Sequence, residues 1–198
     1  MGIFSVGDLA HADLPSLEKH FGIMGNQLYY HAWGIDHSTF GEPLVQGQVS
    51  FGKGQMLMRD YHKRSDICVV LLEMCEDVAK RARLAGYVGR TIALGLSYSQ
   101  AAMTKGFHLS KTIEEPTNDT MTIYAVCKEL LDTHFVGEPA RQLSVRLSNV
   151  EQARSIQLDL FDTDKEKRQT LAHTVDTIRD KFGATAILRA ASYTEAGT

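Results

Sequence analysis

No apolar run in this sequence approaches the roughly 20 residues that a membrane span requires. The first residues carry neither the basic head nor the apolar core of a secretion signal. A cytoplasmic protein without membrane contact is therefore expected. Cysteine is scarce: Cys68, Cys75 and Cys127 cannot all pair, and none stands in a C-x-x-C arrangement. Cys68 and Cys75 fall on the apolar stripe of a predicted helix, so small core residues in a reducing compartment are expected. The parts of common active sites are missing as well. No glycine-rich loop ends in the lysine of a P-loop, and no serine or cysteine has a placed histidine partner. The histidines make no metal set, since His11 and His20 lie on different predicted helices and His31 and His37 flank a turn. Asp159, Asp162 and Asp164 alternate, but in a predicted loop. These absences predict a chain that binds rather than catalyses, with no cofactor, no metal and no small-molecule substrate of its own.

What is present suits one core of moderate size plus appendages: 198 residues, 43% hydrophobic and 23% charged. The net charge of -3 is unevenly spread. Between Ser50 and Lys111 stand ten basic residues (53, 59, 63, 64, 80, 81, 83, 90, 105, 111) against five acids (60, 66, 73, 76, 77). Met1 to Val49 holds Lys19 against five acids (8, 13, 18, 36, 42). A basic region inside an acidic protein fits a polyanion partner. It fits equally a solvated helix surface bearing Lys80, Arg81 and Arg83.

Periodicity divides the chain. Ser5 caps a first short helix, and Asp13 with Pro15 starts a second that runs to His20. Phe21 to Gly25 reads as a glycine-containing turn into a helix from about Asn26 to Ala32, closed by Gly34. Exposed amides at such a helix start can seat a phosphate. The same glycines also serve a plain packing turn by permitting φ > 0. Residues 1–40 thus form a small helical segment and 41–48, with Glu42, Pro43 and two glycines, a linker. Over 49–150 the order is strand (Ser50 to Arg59), helix (Asp66 to Ala85), strand (Thr91 to Tyr98), strand (Phe107 to Ile113), helix (Thr120 to Thr133) and strand (Arg141 to Leu147). That is β-α-β-β-α-β. An α+β fold follows, a split βαβ arrangement in which a four-stranded sheet carries both helices on one face. Residues 151–198 form a tail with an amphipathic helix from Lys165 to Phe182, whose stripe is Leu171, Val175, Ile178 and Phe182. The run ILRAASY is left without an element.

Alternation places Ala93, Gly95 and Ser97, then His108, Ser110 and Thr112, then Gln142, Ser144 and Arg146 on the helix-free face. This face is small and polar, and it offers none of the aromatics on which a single-strand RNA reader stacks bases. Small side chains let a phosphate backbone come close, with Lys53, Arg59, Arg90, Lys105, Lys111 and Arg146 nearby to neutralise it. A sheet that is merely wet on one side has the same composition. In the tail, Gln157 to Phe161 reads QLDLF: one polar group to fix register and apolar side chains for a partner's pocket. The alternative is a last edge strand that completes the core.

Taken together, these stretches resemble the C-terminal part of bacterial Y-family translesion DNA polymerases of the UmuC/DinB (ImpB/MucB/SamB) type. FGIMGNQLYYHAWGID is similar to the latter part of their helix-hairpin-helix thumb. VSFGKGQMLMRDY, RTIALGLSYS and KGFHLSKTIEEPTND resemble the first three strands of the little-finger domain, and Ser50, Phe51 and Gly52 stand where serine-isoleucine-glycine is common. Gln157, Leu158, Leu160 and Phe161, around Asp159, match the sliding-clamp-binding motif Q-L-x-L-F. The resemblance implies duplex or primer-template DNA and the clamp as partners, and a role in SOS damage tolerance near the nucleoid. It implies DNA contacts at Gly22, Gly25, Ser50, Gly52, Lys53, Arg59, Arg90, Lys105, Lys111 and Arg146. It places the Mg2+-binding carboxylates in a palm upstream of residue 1. A non-enzymatic clamp-associated adaptor fits the same residues, and a ferredoxin-like RNA-binding module is a third reading.

Overall fold

The computed structural model describes residues 2–36, 49–100, 102–153 and 165–197, and the chain divides into two compact units, Met1–Gln46 and Gly47–Thr198. The first unit holds three helices: α1 (Val6–Ala10), α2 (Leu14–Phe21) and α3 (Ile23–Ala32). A capping box between Ser5 and Asp8 starts α1, and the Asp13 carboxylate accepts from the Ser16 amide to start α2. The turn before α3 is much shorter than the predicted one. Gly22 alone joins the two helices, at φ 60°, a conformation that glycine adopts without strain. Gly25 lies inside α3, and a Cβ there would stand 2.3 Å from the Leu17 carbonyl oxygen. Its missing side chain is what lets α3 cross α2 so closely.

The second unit is built on β1 (Phe51–Tyr61), α4 (Arg64–Leu84), β2 (Tyr87–Tyr98), β3 (Phe107–Thr117), α5 (Thr120–His134) and β4 (Ala140–Gln152). The sheet order is β1-β4-β2-β3, with every neighbouring pair antiparallel. β1 and β2 therefore run parallel with β4 between them, and β3 and β4 run parallel with β2 between them, so both βαβ units are split. α4 packs on β1, β4 and β2, α5 packs on β2 and β3, and the two helices touch. One face of the sheet is covered and the other is open.

The covered face explains the order of the sequence. Ile67, Leu71, Met74 and Val78 recur every three or four residues along α4 and meet Ile92, Leu94 and Leu96 of β2 and Leu143, Val145 and Leu147 of β4, all fully buried. Each such side chain contributes about 1.5–3 kcal/mol on burial. Pro116 sits on β3, an edge strand, where a missing ladder donor is tolerated. Cys75 and Cys127 are buried in this core and Cys68 is half-buried. The hydrogen bond with Cys127, helped by burial, pushes the Cys75 thiol well up, which keeps it protonated and inert.

The tail is part of this unit. Helix α6 (Lys165–Phe182) lies on α4 through ion pairs: Arg83 holds Asp176 at 2.8 Å, Lys80 meets Asp180, and Arg179 reaches Glu76 at 3.0 Å. The apolar stripe contributes less than its spacing suggests, for Leu171 and Phe182 remain 65% and 67% exposed. Beyond Gly183 the chain forms a 3-10 turn over Ala190–Tyr193, and the Tyr61 hydroxyl donates to the Ala196 carbonyl at 3.2 Å. Arg189 shares Glu76 with Arg179.

Candidate nucleic-acid interface

Strand register decides what the open face carries, because alternate residues of each strand point to opposite sides. Three rows run across it. Gly52, Arg146, Ala93 and Ser110 stand side by side; next come Gly54, Ser144, Gly95 and His108; then Met56, Gln142 and Ser97. A fourth row holds Ser148, Thr91 and Thr112, where the two threonine hydroxyls meet at 3.0 Å. No carboxylate stands in these rows. Arg146 is exposed at their centre, and among the described residues it has neither an ion pair nor a hydrogen bond.

The other predicted cations are placed differently. Lys53 pairs in register with Val145 of the core face, so it projects to the helix side of an edge strand. Lys111 also lies on the helix side and holds Glu129 of α5 at 2.7 Å. Arg90 is tied to the Glu114 carbonyl and to Glu151. The Arg59 guanidinium donates to the Glu195 carbonyl at 3.0 Å and lies over the Tyr61 ring. Lys105 is exposed in the loop between β2 and β3, and Ser50 is exposed just before β1. Gly52 belongs to the open face beside Arg146, but the structure does not gather the cations there; it brings one. In the first unit Gly22 is the start of α3, whereas Gly25 is buried and its amide donates to the Gly22 carbonyl at 2.9 Å. Gly25 is thus a packing residue. Gln157 to Phe161 lies outside the described residues.

The missed signal was parity. Extending the alternation from Phe51 and Leu57 to Lys53, and from Leu109 and Ile113 to Lys111, sends both lysines to the covered side. Among the described residues no group of three or more His, Cys, Asp or Glu could hold a metal, and no helix is long and apolar enough to cross a membrane. The open face presents hydroxyls, backbone, the Gln142 amide, the His108 imidazole and the Arg146 guanidinium, groups that can donate hydrogen bonds to an anion.

The family described as the impB/mucB/samB family C-terminal domain matches residues 48–160, which contain the whole sheet. This chain belongs to that family. Among its relatives, the Putative UV-damage repair protein UvrX of Bacillus subtilis (strain 168) is 56% identical over 198 residues, covering 100% of this chain and 48% of that protein. The DNA repair protein homolog YobH of the same organism is 59% identical over 138 residues, 70% of this chain and 64% of its own length. DNA polymerase IV 2, also of Bacillus subtilis, is 40% identical over 198 residues, again 100% of this chain and 48% of the relative. The chain spans about half the length of UvrX and of the polymerase. As an impB/mucB/samB C-terminal domain it carries the sheet with its open face, and α1, α2, α3 and α6 fall within the wider matches.

Proposed function

We propose that this chain is the DNA-holding and clamp-docking portion of an error-prone translesion DNA polymerase that acts in DNA repair and SOS damage tolerance at the nucleoid. The observation that carries the reading is the open sheet face, whose four register rows hold no carboxylate and centre on the unpaired Arg146. The names of its relatives, a UV-damage repair protein and a DNA polymerase IV, agree with it. Contact is to backbone and shape, not to base identity, which suits a template whose bases are damaged. The amides of Ile23 and Met24, the first two of α3 behind Gly22, lack intrahelical acceptors and offer a second grip on phosphate. Mg2+ and the carboxylates that bind it belong to a palm outside these residues.

Clamp docking rests on the sequence QLDLF alone. Burial of Leu160 and Phe161 in a partner's pocket, at about 1.5–3 kcal/mol each, allows roughly micromolar affinity after ordering costs. Tethering then raises the local concentration of polymerase at a stalled primer end, so weak docking suffices. Two titrations test the reading. Arg146→Ala should weaken binding to duplexes of unrelated sequence alike, by about tenfold, and reduce the salt slope by about 1. Unchanged binding would overturn the DNA reading. A purified bacterial sliding clamp should bind the chain and lose the Leu160→Ala/Phe161→Ala variant; equal binding of both would remove the docking role.

A further inference from the structure

Beyond Gly183 the chain turns back along α6, and the Arg179 guanidinium fastens the return by donating to the Ile187 carbonyl at 3.0 Å. Between this returning segment, α6, α4 and the start of α5 lies a cavity of about 320 Å³. Its apolar lining is Leu171 and Val175 of α6, Met121 of α5, and Ile187 with Leu188. All of these but Val175 are at least a third exposed, so the apolar surface continues outside the mouth. A small ligand would fill the cavity and leave that rim wet, whereas a peptide laid across it covers both. Most of the lining comes from α6 and residues 187–189, which lie beyond the stretch matched to the family.

The remaining charged lining sets four arginines, Arg168 among them, against three carboxylates. Arg83 and Asp176 answer each other. Asp119 is engaged at the start of α5, where its carboxylate accepts from the amide and the hydroxyl of Thr122. Glu76 is shared between Arg179 at 3.0 Å and Arg189 at 2.6 Å, so one carboxylate faces two guanidiniums and a positive charge is left over. Arg189 presents it. The side chain is exposed, and among the described residues only its Nε is engaged, which leaves Nη1 and Nη2. Two terminal nitrogens side by side are the fork that takes a carboxylate bidentately.

We propose that this cavity is a docking site for a partner protein, entered by an acidic segment that bears leucine or phenylalanine. The apolar side chain inserts between α6 and Ile187–Leu188, and a neighbouring carboxylate is held by Nη1 and Nη2 of Arg189. The site stands on the helix side of the sheet, so it stays accessible while the open face is occupied.

The test pans a phage-displayed library of random twelve-residue peptides against the whole chain, with the Leu171→Asp variant as the subtracting target. Leu171 is exposed on α6, so that change alters the lip of the cavity and not the core; melting curves verify folding. Peptides retained by wild type and not by the variant should carry Asp or Glu beside Leu or Phe. In fluorescence anisotropy with one such labelled peptide, Leu171→Asp and Arg189→Ala should each bind about tenfold more weakly. Exchanging the peptide's acids for amides should weaken wild-type binding about as much, with little further loss in Arg189→Ala, the signature of a direct pair. If no peptide distinguishes wild type from Leu171→Asp, or the retained ones are neutral or basic, the docking site is overturned. Full additivity of the amide peptide and Arg189→Ala would overturn the Arg189 contact. Self-association in sedimentation that Leu171→Asp abolishes would give the face to a second copy and overturn the partner reading.

Discussion

At the scale of single residues, the decisive distinction is between charges that are answered within the protein and charges that are not. Arg83 is the clearest answered one. With Asp176 it forms a pair whose side chains are 6% and 5% exposed, and it also donates to the Asn118 carbonyl at 2.9 Å. Asp176→Ala strands that guanidinium and should cost about 3–5 kcal/mol in urea unfolding, more than any exposed pair on this surface. Lys111 is likewise answered, by Glu129, so Lys111→Ala should leave DNA affinity within about twofold of wild type, as expected for a charge facing away from the ligand. One further residue has a pH consequence. Burial, with help from Cys68, raises the Tyr124 hydroxyl to about 12. A raised folded-state value means stability that is complete below the unfolded-state value near 10. It is lost as pH climbs towards 12, so alkaline unfolding should begin in that window and move lower in Tyr124→Phe only if the ring packing fails. The open-face residues of β2, β3 and β4 were legible because period-two alternation is strict within a paired strand. Lys53, Lys111 and Arg90 were not placed by the same reasoning, since net charge along a sequence carries no information about which side of a sheet each charge faces.

At the scale of elements, caps and register set what a reading of periodicity can reach. Helix α5 begins where Asp119 accepts from the Thr122 amide at 2.8 Å, and Asp119→Ala should lower stability by about 1 kcal/mol in thermal or chemical denaturation. The predicted start of that helix was sound because Asn118 and Asp119 are side chains that compete with the backbone and stop a strand. β4 is longer than its apolar pattern: it continues through Ser148, Asn149 and Val150 to pair with Tyr87–Thr91, with Asn149 at φ 52°. Serine and asparagine resemble a turn in isolation, and only the partner strand reveals that the ladder goes on. The α2–α3 junction was misjudged for a related reason. Two glycines close together read as one loop, but Gly22 bends the chain and Gly25 lets the helices touch. Gly25→Ala should therefore reduce the helicity of the Met1–Gln46 unit in circular dichroism, whereas Gly22→Ala acts through backbone strain alone and should cost about 1–3 kcal/mol.

For the Gly47–Thr198 unit as a whole, two surfaces are separated by the sheet. Its helix side binds its own tail through Arg83, Lys80, Arg179 and Arg189, each set against Asp176, Asp180 or Glu76. Its open side keeps Arg146 for something else. The fold class and the βαβ order were legible from the alternation of periods two and 3.6, because one core fixes both. The docking of α6 and the tail was not, because polar pairs between distant residues leave no periodic trace. The separation has a kinetic meaning. With Asp176, Asp180 and Glu76 paired on the helix side and Arg146 unpaired on the open side, a ligand approaching the unit meets different charge on its two sides. A polyanion nearing it exerts a torque before any atom touches, turning the sheet towards the strand. Encounters then arrive already oriented, and the orienting advantage fades once added salt shortens the screening length to about 8 Å or less.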